Sequence, residues 1–484
     1  MIIVNKTSTR MTLSLCVVLA VVIIISILTE GSKTSFRIHN ESHPLLRKAV
    51  ISTIQFKHGR YLKLPNCFQF DWSAISFYTQ FSITNNKLHE SHANKGPVKQ
   101  STTSNVILSL QDHGNWYNVY LWKMANDSLN AESSRILVDT QILVTNQTSS
   151  PKNYTVSFTW QIHPSELGAF TSYEIEVEKR TEAFLGIVSL YGMYLANDDD
   201  DNMIHIHNTK SQTHSSSFST SSSSSSSTFT SLHNTTKEDL IVEFLGDSLS
   251  CAYGNLGHPP CAYTPSTQDV HQSFVIKTAQ YLQASEYHVE CWSGKGVVRN
   301  FGENSTQSKD PFPYYYPRTI ANSGEYEWNY QTYIPHLVVI TLGGNDFSTS
   351  PRPSFSEYYQ GYLKLLEFIF SNYEKAQQRN VLRETVLKPV TAIDTTTTTD
   401  SGRMNRLKVV LVCGPLMYDC YENFTERVAE NAKHKFGEHS IHFLSMHNLL
   451  NAEHDIGCAG HPNTRGDEKM ARLLSDFIKS NVLL

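Results

Sequence analysis

Hydrophobic and polar positions change rhythm partway along this chain. From about Ala49 to Leu195 the apolar residues come in short runs: YNVYLW from Tyr117, RILVDTQILV from Arg135, NYTVSFTWQI from Asn153 and SYEIEVEKR from Ser172. In the last run Tyr173, Ile175 and Val177 alternate with Glu174, Glu176 and Glu178, which predicts a strand with one buried face and one wet face. No long amphipathic helix interrupts these runs, so residues 49–195 read as a β-sandwich.

Beyond Lys237 dense apolar strands alternate with helix-like stretches. The strands are LIVEFL from Leu240, YHVEC from Tyr287, HLVVITL from His336, LKVVLVC from Leu407 and SIHFL from Ser440, and helices are predicted at roughly 267–284, 356–378, 421–434 and 464–479. The alternation predicts an α/β domain over residues 238–484, a parallel sheet with helices on both faces. Between the two regimes, residues 196–237 carry NDDDDN, IHIHN and a Ser-rich tract with too little apolar surface to offset the entropy of ordering, and read as a disordered linker. Residues 391–403 form a second low-complexity stretch and read as an inserted loop.

The N-terminus adds a compartment. Residues 11–28 are almost unbroken apolar sequence preceded by Lys6 and Arg10, so residues 1–33 read as a signal anchor, with a cleaved signal peptide as the alternative. Either places the rest outside the cytosol, as a secreted chain or a type II membrane protein. The sequons at Asn40, Asn126, Asn146, Asn153, Asn234, Asn304 and Asn423 all lie downstream of the run. Cys16 lies within it, leaving Cys67, Cys251, Cys261, Cys291, Cys413, Cys420 and Cys458 for an oxidising compartment. That number is odd, so at least one thiol stays free or pairs between chains. Cys251 with Cys261 and Cys413 with Cys420 are spaced as loop staples, though spacing leaves connectivity open. At 484 residues and 40% hydrophobic the chain can bury two cores, and its formal charge of -5 is too mild to indicate a nucleic acid or an anionic membrane as partner.

Sites in open α/β sheets lie at the carboxyl ends of the strands. There the sequence reads Gly246-Asp247-Ser248-Leu249, Ser293-Gly294-Lys295-Gly296 and Gly343-Gly344-Asn345-Asp346, with Gly457-Cys458-Ala459-Gly460-His461-Pro462-Asn463 before the last helix. A hydroxyl is a poor nucleophile until a base takes its proton, and the oxyanion that follows needs donors fixed in advance. Ser248 suits the nucleophile and His461 the base. The Ser248 and Gly294 N–H groups and the Asn345 amide suit the oxyanion donors. Asp247 and Asp346 read as turn-forming residues. Trp292 and Trp328 are candidates to stack on a substrate ring, with plain packing as the alternative.

These four elements in this order resemble the SGNH (GDSL-type) hydrolase superfamily. More narrowly, GDSLSCAYGN at Gly246, KRTEA at Lys179, WSGKGVVRNFG at Trp292, LGGNDFS at Leu342 and GCAGHPN at Gly457 resemble carbohydrate esterase family 2. The resemblance implies a jelly-roll-like sandwich before a three-layer α/β/α hydrolase domain. It also implies removal of O-acetyl groups from an acetylated polysaccharide or glycan, without cofactor or metal. Two departures stand out. Many SGNH enzymes carry Asp three residues before the His, where this chain has Cys458, so the resemblance implies a Ser-His dyad oriented by a backbone carbonyl. Asp455 is the nearest alternative third member and would need a reshaped loop. Gly344 replaces a common Thr, with little expected effect. A metal at His205 and His207 beside Asp198–Asp201 is set aside, since a solvated charged segment fixes no ligand geometry. The competing functions are a lipase or thioesterase of the same superfamily and an inactive glycan-binding surface protein.

Overall fold

The computed structural model describes residues 54–85, 100–124, 135–162, 170–197, 202–206, 239–387 and 407–483. The apolar run at 11–28, most of the Ser-rich segment and the loop at 391–403 lie outside the described residues. Among the described residues no helix is long and apolar enough to cross a membrane.

The first half builds two antiparallel sheets. Strands β1 (Gln55–His58), β4 (Ser76–Asn85), β9 (Phe170–Lys179), β6 (Trp116–Met124) and β7 (Arg135–Val144) form one, in that order. Strands β2 (Leu62–Lys63), β3 (Phe68–Phe70), β10 (Val188–Asn197), β5 (Gln100–Gln111) and β8 (Lys152–Ile162) form the other. Residues from both sheets, among them Phe77, Val119 and Val177 from the first and Leu108, Leu110 and Leu190 from the second, join one apolar core. Strand β11 (Asn202–Ile206) adds to the edge of β4, pairing Met203 with Thr84 and Ile204 with Ile83. The expectation of linker throughout 196–237 is therefore corrected at this strand.

The Glu-bearing face of β9 also corrects the reading of a wet face. Tyr173, Ile175 and Val177 are buried as the alternation implies, but Glu174 and Glu176 are only 7% and 3% exposed. Arg135 on β7 lies across both carboxylates at 2.7 and 2.9 Å with its guanidinium over the Trp122 ring, and His271 of the following domain meets Glu178 at 3.2 Å. The polar face is covered by other parts of the same fold.

The second half is a five-stranded parallel sheet ordered β13 (Glu286–Cys291), β12 (Ile241–Gly246), β16 (Leu337–Thr341), β17 (Lys408–Cys413), β18 (Ile441–Ser445). Its strand residues alternate between two cores. Leu337, Val339, Val410 and Val412 join Phe274, Met470, Leu474 and Ile478 from helices α1 (Phe274–Leu282) and α6 (Thr464–Asn481). Val338, Ile340, Val409 and Leu411 join Tyr358, Leu366, Val428 and Ala432 from helices α4 (Phe355–Leu387) and α5 (Phe424–Phe436). Two short helices, α2 (Phe312–Tyr315) and α3 (Gly344–Phe347), and a hairpin of β14 (Arg318–Ile320) and β15 (Ser323–Glu327) lie in the connections.

The two halves are locked by buried polar groups. Arg60, fully buried, reaches from the turn after β1 to Glu243 on β12 at 2.9 Å and Glu290 on β13 at 3.0 Å. A buried ion pair contributes little over an apolar replacement, but losing one partner costs about 3–5 kcal/mol. The Asp71 carboxylate accepts the N–H groups of Ala321 and Asn322 at 2.8 and 2.7 Å.

Candidate active site

Strands β12 and β16 are neighbours, yet the chain leaves their sheet positions in opposite directions, which makes their carboxyl ends the switch point of the sheet. Ser248 follows β12 and Asn345 follows β16. The strand must turn sharply at Gly246, where a Cβ would sit 2.0 Å from the Ser250 hydroxyl.

His461 arrives from the loop before α6. Its Nε2 lies 2.8 Å from Ser248 Oγ, and its Nδ1 lies 3.1 Å from the Ala459 carbonyl oxygen. A carbonyl only accepts, so Nδ1 carries the proton and Nε2 keeps the lone pair that faces the serine. Burial lowers the imidazole pKa below its ordinary value, partly countered by the Ala459 carbonyl, and so keeps the ring neutral near pH 7. Ala459 adopts φ +52° and Gly460 φ +75°, the turn that brings carbonyl and imidazole together. Asp455 is placed elsewhere, which corrects its candidacy as third member. Its carboxylate pairs with Arg465 at 3.1 Å and Lys469 at 2.5 Å and accepts the Asn451 N–H at 2.7 Å, binding the start of α6 to its preceding loop.

Cys458, standing where an acid is often found, bonds Cys261. The bond fixes the His461 loop, where Cys458 N–H donates to Gly254 O and Ala459 N–H to Cys261 O at 3.0 and 2.8 Å. Cys251 pairs with Cys291 and not with Cys261, because Cys291 ends β13 directly beside Gly246. Cys413–Cys420 forms as its spacing suggested, and Cys67 is the unpaired, buried thiol among the described residues.

In the loop after β13, Gly294 turns with φ +81°. Among the described residues no acceptor takes the N–H of Ser248 or of Gly294. The Asn345 amide instead donates to Asp247 Oδ2 and to Lys295 O, both at 3.0 Å, so it reaches an oxyanion only by giving up one of these bonds. Asp346 is more than a local turn residue. Its carboxylate accepts the N–H groups of Val297, Val298 and Arg299 at 2.8–2.9 Å, tying the Gly294 loop to α3. Burial nonetheless raises its pKa to about 6. Gly344 matters more than its substitution for Thr suggested, since a Cβ there would lie 2.0 Å from buried Asp419.

Sequence reasoning gave no role to KRTEA or to the aromatic residues beside the histidine. Glu182, fully buried in the sandwich loop after β9, accepts both the N–H and the hydroxyl of Ser293 at 2.7 Å. The ring of Tyr253 lies 4.9 Å from that of His461 and stacks on Tyr263 at 4.0 Å, which meets Phe184 at 5.6 Å. Trp292 is half-buried against Tyr315 at 4.5 Å, next to the Gly294 loop. Trp328 packs over the Arg60 guanidinium at 5.0 Å and beside His288 at 5.7 Å, which favours the packing alternative over stacking on a substrate ring.

No protein-family model matches the chain. Over 137 residues it is 36% identical to the cellulase/esterase CelE of Acetivibrio thermocellus, covering 28% of this chain and 16% of that protein. Over 149 residues it is 31% identical to an acetylxylan esterase / glucomannan deacetylase of Cellvibrio japonicus, covering 28% of this chain and 40% of the relative. The matches thus span less than half the length of these relatives. Two solved structures share the fold across most of both chains. A family two carbohydrate esterase from Cellvibrio japonicus aligns with a TM-score of 0.58 at 15% identity, covering 90% of this chain and 97% of that one. A family two carbohydrate esterase from Clostridium thermocellum, in complex with cellohexaose, aligns at 0.57 and 21% identity, covering 88% and 98%. The resemblance to carbohydrate esterase family 2 read from the motifs is borne out.

Proposed function

We propose that this protein is a serine esterase that removes O-acetyl groups from carbohydrate. The observation that carries the reading is the chain from Ala459 carbonyl to His461 to Ser248, at 3.1 and 2.8 Å. Ser248 Oγ attacks the acetyl carbonyl carbon as His461 Nε2 takes the hydroxyl proton. The oxyanion is met by the Ser248 and Gly294 N–H groups, joined by Asn345 when it exchanges one of its present bonds. Collapse expels the sugar oxygen, which takes the proton from His461 and leaves acetyl-Ser248. Water, deprotonated by His461, then releases acetate. The line of rings from Phe184 to Tyr253 supports an apolar contact for the substrate. The disulfides and the exposed sequons Asn146, Asn153, Asn304 and Asn423 support a glycosylated chain working outside the cytosol.

The test is acetate release from acetylated glycans and from an aryl acetate by wild type, Ser248→Ala and His461→Ala. Both variants should fall by at least about 10³-fold in kcat with little change in melting temperature. Wild type no faster than Ser248→Ala on every acetyl ester sinks the esterase reading and favours the glycan-binding alternative. Preference for long acyl chains transfers the reading to a lipase or thioesterase.

A further inference from the structure

The oxyanion side of the site depends on a residue from the other half of the chain. Gly294 has φ +81°, and empty space surrounds the position of a Cβ, so little side-chain packing holds this peptide in place. Ser293, immediately before it, is held twice: its N–H by Glu182 Oε2 and its hydroxyl by Glu182 Oε1, each at 2.7 Å. Glu182 is in turn set by Gln268, whose amide donates to Oε1 at 3.1 Å and to the Cys251 carbonyl at 2.8 Å. The rest of KRTEA builds the floor beneath it. Lys179 Nζ, fully buried, donates to the carbonyls of Asp71, Thr181 and Glu182, and Thr181 donates to Asn115 at 2.6 Å.

We propose that Glu182 is the positioning residue of the oxyanion side, clamping Ser293 so that the Gly294 N–H faces the carbonyl attacked by Ser248. This rests on the esterase reading and assigns the sandwich a part in catalysis. The clamp is tightest as a carboxylate. An ionised carboxylate accepts all three donors in charge-assisted bonds, whereas a protonated one holds them more weakly and reverses its bond with the Ser293 hydroxyl, which can also accept. The ionisable groups facing Glu182 are Lys179 at the end of its own strand, Tyr253 in the turn after β12 and Tyr263 in the loop that follows. Burial raises the Glu182 pKa to about 7 against the opposing pull of Ser293, Gln268 and Lys179, so the clamp engages as pH rises through neutrality.

The experiment compares full-length wild type, Glu182→Gln and Ser293→Ala in kcat, KM and pH profile on an aryl acetate, with the rate of Ser248 labelling by a fluorophosphonate and the melting temperature. Removing an oxyanion donor outright costs about 10²–10³-fold, so losing its support should lower kcat by about 10- to 100-fold for Glu182→Gln and less for Ser293→Ala, with KM within twofold. In wild type the acid limb of kcat/KM should fall near pH 7. In Glu182→Gln it should drop to that of His461, below the ordinary histidine value. A merely structural role would lower melting temperature and leave the limb in place. An unmoved limb, or Ser293→Ala equal to wild type in kcat where Glu182→Gln fails to fold, overturns the proposal. Labelling separates the two readings: if acetyl esters are not substrates but wild type is labelled faster than Glu182→Gln, the esterase reading fails and the clamp stands.

Discussion

The two sides of Ser248 are held by different means. The base side is covalent: Cys261–Cys458 fixes the turn from which both His461 and its carbonyl partner project. The proposed oxyanion side is held by ionisable groups, Glu182 on Ser293 and Asp346 on the peptides 297–299, each carboxylate drawn from a separate element. A disulfide is indifferent to moderate changes of pH, while a buried carboxylate is not. One wall should therefore fail on reduction and the other on acidification.

Breaking the covalent wall should have the largest effect. The Cys261–Cys458 bond closes a separation of 197 residues, and the double substitution Cys261→Ser with Cys458→Ser should cost about 3–5 kcal/mol. Freed from its anchor, the Ala459 carbonyl no longer fixes the imidazole, and kcat should fall about 10- to 100-fold. Calorimetry and kinetics on an aryl acetate check this. A destabilised variant with full kcat would show that the Gly254 and Cys261 carbonyls orient the histidine loop unaided.

On the other wall, two glycines should rank against first impression. Gly294 carries the proposed oxyanion N–H, but an added Cβ meets nothing within 4 Å, so Gly294→Ala carries only the positive-φ cost of about 1–2 kcal/mol. Gly296 has no such φ, yet its Cβ would lie 2.1 Å from the Arg299 carbonyl and 2.4 Å from Asp346 Oδ2. Gly296→Ala must displace the carboxylate that ties the loop to α3, and should cost about 3 kcal/mol. Thermal melts of the two variants settle the order, and equal losses would mean that the Asp346 anchor yields freely.

This division shows what the sequence could and could not disclose. Ser248, Gly294 and Asn345 were readable as candidates because each follows an apolar run whose end the alternation marks, and His461 because its Gly-rich motif precedes the last helix. The Ala459 carbonyl was not, because every residue has one and only the fold selects which meets an imidazole. Glu182 was hidden by distance, since its partner Ser293 lies 111 residues away. Glu174 and Glu176 looked solvated because a period of two reports which residues share a face, not what later covers it. Asp455 and Trp328 had suitable chemistry, but Lys469 and Arg465 claimed the first and Arg60 the second.

The smallest effect should come from a buried carboxyl on the base side. Asp467 on α6 accepts Asn255 Nδ2 at 3.2 Å and the Phe274 N–H at 3.1 Å, and so ties the loop after Ser248 to α1 and α6. Burial raises its pKa to about 7. Between the ordinary carboxylate value and about 7 the folded state holds a proton that the unfolded state has lost, so the stability this group contributes declines as pH rises through that window. Asp467→Asn keeps the shape and removes the titration. Its melting temperature should therefore match or trail that of wild type at pH 5 and gain on it by several degrees at pH 8. The acid limb of kcat/KM should stay where wild type has it, because the disulfide still holds His461. A limb that moved with Asp467→Asn as it does with Glu182→Gln would erase the distinction between the walls and make both depend on buried charge.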